Sequence, residues 1–267
     1  MNPRHRHLAP MTGAVWAMID EEAARTLSGL LAGRHLVSFD GPLGWETAGV
    51  ATGRTQALSN PVPSVSAAAR TIRPLVELRC ELILDRAEVG VVERGGRDPD
   101  MAPVTTAARH MALAEDTLVF GGDDSVGIAG IASASPHEPL LLDDDATTFA
   151  RTVYRAVAKL RDAGVGGPYG VALGPRCHAE VMETTEHGSY PVLEHLRLLT
   201  GGPVVFAPSV SGAVVLSVRG DDFELHVGED LGIGYARHDD TTITLALDES
   251  VTLSNHTPEA AIVLRHG

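Results

Sequence analysis

Lysine is almost absent: Lys159 is the one lysine among 267 residues. Lysine and arginine together number 21 against 35 acidic side chains, a formal charge of −14 at neutral pH. That balance excludes a nucleic-acid binder relying on a dominant basic surface. Cysteine is also sparse. Cys80 and Cys177 form no CxxC pair, which points to two reduced thiols and not to a disulfide framework. No apolar run approaches the roughly eighteen residues of a membrane span. The opening stretch MNPRHRHLAPMTGAVW has basic residues but no apolar segment or small-residue cleavage site behind them, so a secretory signal is not expected. The expected setting is the cytoplasm, with neither nucleic acid nor membrane as partner.

Catalytic signatures are missing too. The chain has no Gly-x-Ser-x-Gly nucleophile elbow. GVGGPYG is glycine-rich but lacks the Lys-Ser/Thr that makes a phosphate-binding loop. The densest polar constellation is Cys177, His178, Glu183, Glu186, His187, Glu194 and His195, and no pair in it has a zinc spacing such as HExxH. His5 and His7 fit a solvated terminus. Asp143, Asp144 and Asp145 precede a helical pattern, where a helix amino terminus welcomes negative charge, so capping is the expected role and metal binding is not.

What the sequence does contain is regular structure. Val15, Ile19, Ala23, Leu27 and Leu31 recur every four residues behind a potential cap at Thr12, predicting a helix to about Leu31 that Gly33 ends. LVSF reads as a short strand and PLVELRCELIL as a longer one. A helix is expected after Pro103, with Val104, Ala107, Ala108 and Met111 on one face. Another carries Phe149, Val153, Val157 and Leu160 and stops at Gly164. GPYGVALG suggests a strand, and PRCHAEVMETT and PVLEHLRLL suggest short helices. The last third is mostly β, alternating over Phe223–Val227 and again in TTITLAL. Helices and strands mix without a βαβ rhythm, which makes the class α+β. Residues 46–73 stand apart. Small and β-branched residues there are punctuated by Gly49, Gly53, Asn60, Pro61 and Pro63, a composition suited to an extended arm whose partners lie on another chain.

In order along nearly the whole chain, LAPMTGAVWAMIDEEAARTL, GRHLVSFDGPLGWETAGVATGR, RPLVELRCELIL, ALAEDTLVFGG, EHGSYPVLEHL, GGPVVFAP, RGDDFELHVGEDLGIGY and TPEAAIVLR carry a resemblance. The sequence resembles the family 1 encapsulins, bacterial shell proteins with the HK97 phage capsid-like fold. The resemblance implies a non-enzymatic subunit that self-assembles into an icosahedral nanocompartment, sixty copies being the simplest closed arrangement. It implies a peripheral domain over residues 1–45, 74–125 and 221–267, an extended loop over 46–73 and an axial domain over 126–220. The implied cargo is an enzyme, either a dye-decolorizing peroxidase or a ferritin-like iron-storage protein, held by its C-terminal targeting peptide. A prophage capsid protein of the same fold and a Ser/His/Asp hydrolase or bacteriocin are the competing readings.

Residue by residue, the resemblance places cargo binding at Leu31, Arg34, Leu36, Ser38, Asp230, Leu231 and Ile233. It places a fivefold pore loop at Thr185, Glu186, His187 and Gly188. Where relatives read Gly-Arg-x-x-Val-Asp, this chain has Gly33, Arg34 and Val37 followed by Ser38, with Asp40 nearby. Some relatives bind flavin beside a tryptophan. The matching position in LILDRAEVG is Ala87, so stacking on that ring is lost and no flavin is expected, Arg79 notwithstanding.

Overall fold

The structure is a computed structural model that describes residues 4–143, 145, 148–186 and 190–267. After a 3-10 turn at Arg6–Leu8, α1 (Gly13–Ser28) leads through a second such turn at Gly33–His35 to β1 (Ser38–Asp40). The hairpin β2 (Gly49–Val62) and β3 (Val65–Pro74) follows, then β4 (Val76–Asp85), α2 (Arg86–Glu93) and α3 (Ala102–Gly121). Short strands β5 (Gly122–Asp123), β6 (Ile128–Ala129) and β7 (Leu140–Leu142) precede α4 (Phe149–Asp162), β8 (Tyr169–Leu173) and α5 (Pro175–Glu183). Next come β9 (Thr185–Glu186), β10 (Tyr190–Pro191), α6 (Val192–Thr200), β11 (Gly201–Phe206) and β12 (Ala213–Ser217). The chain closes with β13 (Phe223–Val227), β14 (Gly232–His238), β15 (Thr242–Asn255) and β16 (Ala261–His266).

Two five-stranded sheets organise these elements. One runs β1-β13-β15-β14, with β4 along the far side of β15; the other runs β11-β8-β12-β16-β7. The long β15 is the spine of the first sheet, because β4 pairs with Thr242–Val251 on one side while β14 and then β13 share the other. Alternation decides what each face does. Leu82 and Leu84 of β4 and Leu245 and Leu247 of β15 turn inward beneath α1 and α3, where Val15, Ile19, Ala108 and Met111 meet them. Burying such a side chain stabilises the fold by about 1.5–3 kcal/mol. A second apolar cluster lies around the other sheet, under Val153, Val157 and Leu160 of α4 and Leu196 of α6.

The boundaries depart from the sequence reading in places. Helix α1 stops at Ser28 with Gly29 at its carboxyl cap, and Thr12 sits at the amino cap without a side-chain bond. Leu31 keeps the stripe's burial from the loop after the helix, which is why spacing alone overran the end. The LVSF strand is displaced to Ser38–Asp40. The amino cap of α4 is Thr148, and Asp143 bonds the Thr148 hydroxyl at 3.2 Å and pairs with Arg151 at 3.5 Å. Asp144 lies outside the described residues.

Residues 46–73 fold mainly as the hairpin β2–β3. Its strands pair with each other, and Leu58, Val62, Val65 and Ile72 are about half exposed. Its base is tied down where Arg73 Nη1 donates to the Leu253 carbonyl at 2.8 Å.

Candidate functional site

The turn after α1 is pinned from below by α3. Asp116 accepts the amides of Ala32 at 3.1 Å and Gly33 at 2.8 Å, and Gly33 packs so closely that an added Cβ would lie 3.0 Å from Val119. This aims Arg34 into a carboxylate cluster. Its guanidinium donates to Glu115 at 2.6–3.0 Å, to Asp230 at 2.7 Å and to Glu249 at 3.1 Å. Glu115 and Glu249 have fully buried side chains. Burial disfavours the charge on Arg34, but the bonds and charges of Glu115 and Asp230 outweigh it and hold its pKa above the ordinary value. Burial, then the adjacent Glu115, pushes Glu249 well above the usual carboxylate range. Burial likewise takes Asp116 to about 7, against its two backbone bonds. The cluster therefore holds protons that exposed carboxylates would have lost.

The amino-terminal segment crosses next to this cluster, along the free edge of β14. Arg4 accepts the Tyr235 amide on its carbonyl at 2.8 Å, and its guanidinium donates to the Asp230 carbonyl. Arg6 donates to the Ile233 carbonyl at 2.7 Å, pairs with both oxygens of Asp20 at 2.7 Å and lies 4.4 Å over the Trp16 ring. Gly232 and Gly234 make room: a Cβ on Gly232 would fall 1.9 Å from the Arg4 guanidinium carbon. The strap thus covers an edge strand that would otherwise expose unpaired backbone groups.

Around this turn and strap sit the residues that the family resemblance marked for cargo. Leu31 and Ile233 are buried in the cluster under α1, with Leu231 half-buried at its margin, and Leu36 is buried in the second cluster. Ser38, on β1, accepts the Asp221 amide at 3.3 Å. Arg34 and Asp230 are bonded to each other. Solvent meets this region at Arg34, Ser38, Asp230 and Leu231.

At the pore loop, β9 pairs Thr185 with Pro191 and Glu186 with Tyr190. His187 and Gly188 lie outside the described residues. The polar constellation around Cys177 divides among separate partners. Cys177 is buried 3.3 Å from His266, His178 rests on Phe206 and Glu194 pairs with Arg197. Burial pushes the Cys177 thiol up to about 11, away from nucleophilic chemistry.

The residues do not suit flavin. Ala87 opens α2 with its amide on Asp85. Arg79 lies in a cleft of about 320 Å³ with Trp45, but Glu46, Glu77, Glu229, Asp248 and Glu249 also line that cleft, and Arg79 is paired with Asp248. Such a carboxylate-rich wall repels the phosphate of a flavin nucleotide.

Two five-stranded sheets flanked by helices, with an outlying hairpin, define the class of α+β fold to which HK97-like capsid chains belong. Comparison with solved structures shows the same fold. A virus-like particle from Pyrococcus furiosus aligns with a TM-score of 0.65 over 94% of this chain and 99% of that one, at 13% identity. A chain of Mycobacterium phage Bobi aligns at 0.56 over 90% and 91%, also at 13% identity. The family described as encapsulating protein for peroxidase matches residues 1–252. The type 1 encapsulin shell protein of Rhodospirillum rubrum is 46% identical, with 99% of this chain and 97% of the relative covered. That of Mycobacterium tuberculosis is 44% identical over the whole of both. The chain belongs to the type 1 encapsulin shell proteins, which are self-assembling structural subunits.

Proposed function

We propose that this chain builds a closed cytoplasmic shell of sixty copies around a cargo enzyme and has no catalytic activity of its own. The observation that carries the reading is the hairpin β2–β3, whose apolar side chains find little to cover them on their own chain. A neighbouring copy supplies the missing surface. In the proposed architecture the hairpin is the extended loop, the sheet spined by β15 belongs to the peripheral domain and the sheet containing β8 belongs to the axial domain. Phage chains share the fold, but identities of 46% and 44% to compartment shell proteins favour a compartment over a capsid.

The family's description favours a peroxidase as cargo, with a ferritin-like protein as the other candidate. Its C-terminal targeting peptide docks at the region of Leu31, Arg34, Leu36, Ser38, Asp230, Leu231 and Ile233. Because Arg34 is engaged by Glu115 and Glu249, the contacts fall on Ser38, Asp230 and the half-buried Leu231. Thr185, Glu186, His187 and Gly188 border the fivefold opening, where repeated carboxylates favour cations.

The test is co-expression with a tagged peroxidase carrying its natural tail. Leu231→Asp is expected to leave shells intact and reduce loading at least tenfold, in line with the roughly 1.5–3 kcal/mol that one buried leucine contributes. Deleting the cargo tail should give the same loss. Full loading of intact Leu231→Asp shells would remove this surface from the account.

A further inference from the structure

Two glycines bring the start of α5 onto the end of β16. The Gly174 amide donates to the Gly212 carbonyl at 2.8 Å, and a Cβ on Gly174 would fall 2.0 Å from the Val210 carbonyl oxygen. Gly212 lies as tightly against Leu264, where a Cβ would fall 2.1 Å from the carbonyl oxygen. Strand β12 then pairs with β16, Ala213 opposite Leu264, and β16 runs on to His266, opposite Leu142 of β7. Cys177 and Glu180 are neighbours on one face of α5, and His266 meets them at this junction. The Cys177 sulfur, a Glu180 carboxylate oxygen and a ring nitrogen of His266 all lie within 4.8 Å of one another.

Packing alone does not account for these three. Cys177 is fully buried, with its sulfur 3.3 Å from His266 Nε2. That contact is weak, because sulfur is a poor donor and a poor acceptor. The other ring nitrogen, Nδ1, is buried without a hydrogen-bond partner among the described residues. A histidine buried as core normally has its nitrogens bonded. Glu180 is the member that meets water: its side chain is 22% exposed, and Arg176 Nε donates to its Oε1 at 2.8 Å. A thiol beside an imidazole also describes a cysteine nucleophile with its base. A nucleophile must meet its substrate, however, and the Cys177 sulfur lies inside the fold.

We propose that Cys177 Sγ, His266 Nε2 and the Glu180 carboxylate form a binding site for a divalent transition ion of the zinc class. Thiolate, imidazole and carboxylate are the side-chain donors such ions take. With bonds of about 2.3 Å to sulfur and about 2.0–2.1 Å to nitrogen, two tetrahedral ligands lie roughly 3.6 Å apart. The Sγ–Nε2 separation of 3.3 Å is already close to that, and Glu180 closes the rest by turning its flexible side chain. The ion takes the place of the proton between sulfur and nitrogen, which leaves to water, while thiolate and carboxylate balance its two charges. Water from the Glu180 side completes the set. Arg176 is a positioning residue, holding the carboxylate as partners behind metal ligands do. The ion clips a helix to a strand 89 residues further along the chain. This site is independent of the cargo and pore readings.

The test titrates metal-free assembled particles with Co²⁺. A thiolate ligand gives a strong sulfur-to-cobalt charge-transfer band in the near ultraviolet, which nitrogen and oxygen ligands alone do not. One ion per chain is expected, displaced by Zn²⁺ and bound more tightly as pH rises, since the thiol must lose its proton. Cys177→Ser should abolish the band, and Cys80→Ser, which removes the other thiol, should leave it unchanged. His266→Gln and Glu180→Gln should each weaken cobalt binding at least tenfold while keeping the far-ultraviolet circular dichroism of the parent. His266 is half-buried near the end of its strand, so His266→Gln decides the matter if Cys177→Ser does not assemble. A parent protein without the band, a band that survives in Cys177→Ser, or unchanged affinity in both His266→Gln and Glu180→Gln overturns the proposal.

Discussion

At the scale of single residues, proton binding concentrates around Arg34. One guanidinium faces three carboxylates, two of them buried, and removing it would leave charges that cost about 3–5 kcal/mol in comparable buried pairs. Asp116 sits at the edge of this cluster with its pKa raised to about 7, chiefly by burial. The folded protein therefore holds a proton there that the unfolded chain releases near pH 4. Stability from this site is fully present below about pH 4 and declines up to about pH 7, because the unfolded state binds fewer protons over that window. Asp116→Asn removes that slope. It gives up one of two backbone bonds, worth about 1 kcal/mol, so the variant should be the less stable form at pH 5 and gain on the parent toward pH 8. Unfolding curves for the two proteins that stay parallel from pH 5 to 8 would refute the raised pKa. Sequence inspection marked Arg34 through family likeness but missed Glu115, Asp116 and Glu249. They are far away in the chain, and nothing local distinguishes a buried acid on α3 from an exposed one.

At the scale of elements, the patterns that worked were those with one wet face and one dry face. Helices α3 and α4 were legible for that reason, whereas β4 was read from a dense apolar run and β13 from alternation in residue type although both its faces are largely buried. The same alternation put Glu224 and His226 on one face, although Asp40 could join them only through a parallel pairing that sequence does not reveal. Helix α2 was missed although its signal was present. Asp85 caps it by accepting the Ala87 amide at 2.7 Å, and Glu88 stands three positions later. In the fold, Glu88 accepts the Asp100 amide instead of closing that box. The hairpin was recognisable as an outlier, but its pairing was not. With both faces exposed, no hydrophobic alternation fixes the register, and irregularities interrupt it between Ala51 and Thr55 and between Leu58 and Val62. Its independence from the two cores leads to a prediction. Replacing residues 50–73 by a short Gly-Ser link should leave the far-ultraviolet circular dichroism of the remaining chain intact and prevent particle closure. Loss of the core spectrum would mean that the hairpin supports its own subunit; closed shells would mean that it joins nothing.

At the scale of the whole molecule, surface charge and missing coverage point the same way. A net charge of −14 favours solubility, and in the proposed assembly the exposed apolar side chains of the hairpin meet a neighbouring copy. Repeating one asymmetric contact around closed axes gives a shell and not a filament only if the rotations close. The family was legible because its short motifs occur in order along the chain. Copy number was not, because closure depends on angles between subunits that no single chain contains. The most direct test is the mass of the purified full-length particle by native mass measurement, with electron microscopy of the same sample. Sixty copies of a 28.1 kDa chain give about 1.7 MDa, and hollow closed particles of that mass are the predicted result. A monomer or small oligomer at every protein concentration and salt tried would contradict the account.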